Sequence, residues 1–166
     1  MGMGTVRRDV RDKMREIKFR GKEIELIKEI GAWRYGSLVE SVGTFGILTD
    51  DDKENHPVVS IVDRKTIGQY TGLKDKDGIE IYEGDIINTK FNRKSIIRFG
   101  EYKQDGSGDE YGPTSCLGFY TELILDGNYY IYDWDKERSI IEDFSCDEPI
   151  VIGNIYDNPE LLGGEK

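Results

Sequence analysis

Histidine is nearly missing from this chain of 166 residues: His56 is the one. With two cysteines, Cys116 and Cys146, and no HExxH, the usual zinc ligands are too few and too scattered for a metal site. Two thiols without CxxC spacing also rule out a disulfide scaffold. No apolar run approaches the roughly 20 residues of a membrane-spanning helix. No basic start leads into an apolar stretch, so no secretory leader is expected and the reading is a cytoplasmic protein.

Other chemistry is missing too. GxxxxGK[ST] does not occur, and no serine sits in GxSxG. Gly106-Ser-Gly-Asp-Glu-Tyr-Gly112 has one residue too many for GxGxxG, and Pro113 follows it where a phosphate-binding helix would start. Lys74-Asp-Lys-Asp-Gly-Ile-Glu looks like a calcium loop, but its register puts Leu73 and Gly84 where ligands belong. His56, beside Asp50, Asp51, Asp52 and Glu54, reads as a solvated loop. Asp133, Asp135 and Glu137, with Glu142 and Asp143, could pair carboxylates for acid–base work, but a helix start with acidic residues in its first turn explains the first three. No catalytic, cofactor-binding or metal residue is assigned, no cofactor is expected, and the chain is read as not an enzyme.

Positive charge runs out along the chain. Residues 1–40 hold 10 Lys+Arg against 7 Asp+Glu, residues 41–100 hold 9 against 10, and residues 101–166 hold 4 against 16, within a net charge of -10. A phosphate-gripping protein needs a basic patch, and the C-terminal region would repel nucleic acid. The basic stripe Arg7, Arg8, Arg11, Lys13, Arg15, Lys18, Arg20 and Lys22 is interrupted by Asp9, Asp12 and Glu16 and reads as a solvated face.

What the chain does have is ten Tyr, six Phe and two Trp, with 37% hydrophobic residues, enough for a core. Residues 1–13 read as a flexible extension and 163–166 as a tail. Alternating patterns over 14–65, among them 15–20, 33–42, 43–48 and 57–62, read as a β-meander with Gly36 as a bulge. Over 66–162 the elements suit a small SH3-like barrel: a charged turn at Lys74–Gly78, an apolar strand after Gly84, a hairpin across Asp126-Gly127, a short helix over 135–144 and a closing strand at 150–156. The fold class is mainly β, a β-rich α+β. On the strand after that hairpin, Tyr130, Tyr132 and Trp134 share a face with acidic neighbours and are the candidate partner-binding residues.

Three blocks resemble the YopX protein family of phages and prophages. They are Met14-Arg-Glu-Ile-Lys-Phe-Arg-Gly-Lys22 with Trp33-Arg-Tyr-Gly-Ser-Leu38, the run from Thr66 to Ile87, and Val151-Ile-Gly-Asn-Ile-Tyr-Asp-Asn-Pro-Glu-Leu-Leu162. The resemblance implies a phage or prophage origin and a bacterial host cytoplasm, and brings no reaction with it. The resulting expectation is an accessory protein that binds a host or phage protein, with self-association as a further option. The alternative is a nucleic-acid-associated protein, either a direct binder through the basic N-terminal region or an acidic mimic of DNA.

Overall fold

In a computed structural model the chain is described over residues 16–24, 31–51, 56–88, 94–104, 114–125, 128–131 and 149–163. The expected extension 1–13, the helix over 135–144, Cys146, Tyr132 and Trp134 lie outside these residues.

The protein is mainly β, as its alternating patterns imply. The strands are β1 (Phe19–Lys22), β2 (Trp33–Ser41), β3 (Thr44–Asp51), β4 (His56–Ile61), β5 (Gly68–Lys74), β6 (Glu80–Tyr82), β7 (Asp85–Asn88), β8 (Lys94–Gln104), β9 (Thr114–Leu125), β10 (Asn128–Ile131) and β11 (Ile150–Asn154). Short 3₁₀ turns lie at Arg64–Thr66 and Pro159–Leu162. Two sheets form, in the orders β4-β3-β2-β1-β5-β6 and β10-β9-β8-β7-β11, with every pairing antiparallel.

β5 and β6, from the stretch read as barrel, therefore hydrogen-bond into the first sheet, and the sheets change over at the β6–β7 turn. In that turn Gly84 has φ 84°, a left-handed conformation that a Cβ would strain. Among the described residues β10 and β11 stand at opposite ends of the second sheet. Curling occurs in the first sheet instead. The Ile24 N–H donates to the Ile61 carbonyl, the Asp63 N–H to that of Lys22, and Glu23 bridges Val62, so the end of β4 returns onto the end of β1. On β2, a Cβ added at Gly36 would overlap the Leu48 carbonyl oxygen. Gly36 ends the ladder with β1 and Ser37 begins the one with β3, so Gly36, expected as a bulge, is seen as a point of close approach where β2 changes partner.

The isoleucine doublets of β7 and β8 feed both faces of the second sheet, because successive side chains point to opposite sides. Ile87 and Ile97 turn toward Ile81 and Leu73 of the first sheet. Ile86 and Ile96 pack with Ile124 on the other side, under Ile152, Ile155, Leu161 and Leu162. Fully burying each such side chain contributes about 1.5–3 kcal/mol. The C-terminal segment thus covers one face of the second sheet, and the first sheet covers part of the other.

Candidate functional site

Strand alternation puts Lys18, Arg20 and Lys22 on one face of the N-terminal strand region, toward β6 and the C-terminal turn. That corrects the reading of these cations as a solvated stripe. Each has an acidic partner: Lys18 with Glu80 at 2.6 Å, Arg20 with Asp85 at 2.6 Å, and Lys22 with Asp157. Arg7 to Arg15 lie outside the described residues.

The Arg20–Asp85 pair is the centre of the cluster, its side chains 7% and 2% exposed. The guanidinium lies 4.6 Å from the Trp33 ring centroid and 5.0 Å from that of Tyr82, so its charge meets two aromatic faces. It also donates to the Glu83 carbonyl at 3.1 Å. Asp85 accepts the Tyr82 backbone N–H at 2.7 Å. Burial pushes the Asp85 carboxyl up, against the pull of the Arg20 charge. Burial likewise raises the Glu83 carboxyl, although hydrogen bonds from the backbone at Gln69 and Phe99 oppose it.

Around this pair, Tyr82 stands 5.6 Å from Tyr35 and 5.4 Å from Tyr70, ring centroid to centroid. Its hydroxyl donates to Glu80 at 2.6 Å, and burial followed by that carboxylate pushes the phenol up. Desolvation would raise Glu80, yet the hydrogen bonds from Lys18 and Tyr82 outweigh it and lower the carboxyl.

Asp157 closes the cluster at the surface. It accepts hydrogen bonds from Lys22, from Trp33 Nε1 at 2.7 Å and from Asn154 Nδ2 at 2.9 Å. Burial works against its ionised form, but those donors prevail and hold it at about 2. Asn154 turns the chain here by accepting the backbone N–H groups of Tyr156 and Asp157 at 3.0 and 2.9 Å. Tyr156 then reaches the Lys65 carbonyl at 2.5 Å.

This arrangement clamps two sheets and a C-terminal turn together. Its carboxylates and cations neutralise each other, and its tyrosines are held with raised or hydrogen-bonded hydroxyls. Asp75 serves a similar end: buried in the charged turn, it accepts N–H groups from Asp77, Ile79 and, across to β11, Val151 at 2.9, 2.8 and 3.2 Å. Among the described residues no three His, Cys, Asp or Glu side chains gather as metal ligands. Nor, among them, is a helix long and apolar enough to cross a membrane.

Of the candidate partner-binding residues, Tyr130 lies on β10 opposite Leu123, in the outer strand of the second sheet. Tyr132 and Trp134 lie outside the described residues. Two exposed apolar residues escaped the sequence reading. Phe99 on β8 and Leu117 on β9 share a sheet face and are 44% and 72% exposed. The alternation of Phe99 with Arg98 and Gly100 could have flagged the first; nothing local marks Leu117.

The three sequence blocks meet in the clamp. The first supplies Arg20, Lys22, Trp33 and Tyr35, the second Glu80, Tyr82 and Asp85, the third Asn154, Tyr156 and Asp157. The YopX protein family model matches residues 18–163, and the chain belongs to that family. No curated protein matches it. Among solved structures it is similar to the crystal structure of protein EF1440 from Enterococcus faecalis, at 22% identity, TM-score 0.38, and coverage of 89% of this chain and 98% of that one.

Proposed function

We propose that this YopX-family chain is a phage or prophage accessory protein that works without catalysis, as a protein-binding module in the bacterial cytoplasm. The observation behind this reading is the exposed pair Phe99 and Leu117 on adjacent strands, 44% and 72% accessible. Exposed large apolar side chains on one sheet face mark a candidate protein contact. Leu117 belongs to the part of the chain where acidic residues dominate, since residues 101–166 carry 16 Asp+Glu against 4 Lys+Arg, and Phe99 lies at its border. A basic partner would be steered toward such a surface, with an on-rate that falls as salt rises. Tyr130, Tyr132 and Trp134 follow in sequence and are proposed to extend the contact.

A direct nucleic-acid role draws less support, because Lys18, Arg20 and Lys22 are engaged with Glu80, Asp85 and Asp157. The test is a nuclease-treated pull-down from host lysate with wild type and with Leu117→Glu, both checked for folding by circular dichroism. A stoichiometric protein caught by the first and lost with the second supports the module. Material that disappears on nuclease treatment alone would mean that nucleic acid is the ligand and that the reading is wrong.

A further inference from the structure

One face of the first sheet is apolar where water should select polar residues. The registers Val39↔Gly46↔Ile61 and Leu48↔Val59 place these five residues on one side of β2, β3 and β4. Ile24 joins them, its N–H bonded to the Ile61 carbonyl. The opposite side of the same strands carries the buried Ile47 and Ser60, so this is the outward face. Yet Val59, Ile61 and Ile24 remain 51%, 48% and 48% exposed. Gly46 lets the group draw together: a Cβ built there would lie 2.6 Å from Val59 Cγ1 and 3.4 Å from Val39 Cγ2.

An antiparallel sheet with one wet face normally alternates apolar with polar. Here Val58, Val59 and Ile61 supply β4 with apolar residues on both faces, the composition of a strand covered on both sides. The face is also without charge. From Tyr35 to Ser41, Thr44 to Leu48 and Pro57 to Ile61, none of its positions holds a charged residue, although 34% of the chain is charged; Asp50 marks its margin.

We infer that this face binds the same face of a second copy, forming a two-fold dimer in which the two sheets stack. Electrostatics favours self-association at this place. The chain's net charge of -10 opposes contact between copies in general, but the face positions of β2, β3 and β4 bring no charge into the contact, so that repulsion is weakest here. A charge-free surface has nothing with which to choose a basic or an acidic partner, and its apolar side chains suit a like surface in a stacked-sheet contact. Extension of the sheet edge to edge is disfavoured, because Pro57 brings no N–H to the edge of β4 and Ile24 already occupies its other end. The face lies apart from Phe99 and Leu117, so its test is independent of the module proposed there.

Sedimentation velocity over a concentration series from sub-micromolar to hundreds of micromolar reads the association. Wild type should form a concentration-dependent dimer that added salt does not dissociate. Val59→Lys buries a charge at the centre of the contact and should weaken dimerisation about 100-fold or more. Ser37→Lys, at an exposed position opposite Leu48, adds a charge to the same face without touching a packed residue and should act in the same direction. Wild type that stays monomeric throughout overturns the inference and leaves the face to a different protein. So does a dimer that survives whichever of the two charged variants folds normally by circular dichroism.

Discussion

Asp157 ties the C-terminal turn to both strands that begin the first sheet, and its pH behaviour follows from its partners. A free aspartate titrates near about 3.9, whereas Lys22, Asn154 and Trp33 hold Asp157 at about 2 despite its partial burial. A folded pKa below the unfolded one gives stability that is present above the unfolded value and lost as pH falls through the folded one. The advantage of wild type over Asp157→Asn, read as a urea midpoint, should be widest at neutral pH and shrink toward pH about 2. An equal gap at both ends would assign the effect to something other than this carboxylate. Asp85 predicts the opposite slope, since burial raises its carboxyl: its share of stability is present at low pH and is lost as pH rises through the raised value. Arg20→Met would leave that buried carboxylate without its cation, at a cost of about 3–5 kcal/mol near neutral pH. The loss should become smaller as acid neutralises Asp85, which urea unfolding at neutral and acidic pH can check. A loss that does not vary with pH would mean that packing against Trp33 and Tyr82 was the main contribution.

Within single elements, local chemistry was readable and long-range geometry was not. The Lys74–Gly78 turn and the strand pairing across Asp126-Gly127 both stood in the sequence, because a turn is decided by adjacent residues. Asp85 and Asn154 likewise accept backbone N–H groups close to them in sequence. Arg20 was misjudged because alternation separates two faces of a strand without saying which one meets the protein, and its partner Asp85 belongs to the other sheet. Gly36 was singled out, but the flat pattern of β2 could not reveal that the Leu48 carbonyl would crowd it. Gly36→Ala should therefore cost about 1–3 kcal/mol through overpacking against backbone. Gly43→Ala is a useful contrast, since a Cβ there meets nothing within 4 Å and suffers only the strain of φ 77°. Thermal melts of the two would separate crowding from backbone strain. Equal small losses would show that β2 can relax away from Leu48.

At the scale of the whole molecule, the question is whether 14–65 and 66–162 behave as separate units. Strand pairing speaks for a single one. β5 and β6 complete the sheet that β1 to β4 begin, and β7 leaves from that sheet through Gly84. Ile81 and Leu73 of the first sheet share a cluster with Ile87 and Ile97 of the second. The clamp of Arg20, Asp85, Lys22 and Asp157 then joins residues from both ends of the chain. With one core cluster and the clamp both spanning the two sheets, neither should outlive the other. Ile47, at the centre of the curled first sheet, and Ile97, in the second, are both fully buried. Truncating either to alanine should cost about 2–5 kcal/mol and shift one common transition. Tryptophan fluorescence and far-ultraviolet circular dichroism would then move together in both variants, as cooperative unfolding requires. If Ile47→Ala instead splits the transition and leaves an unshifted second step, the two stretches fold independently, and the clamp joins finished domains instead of completing one.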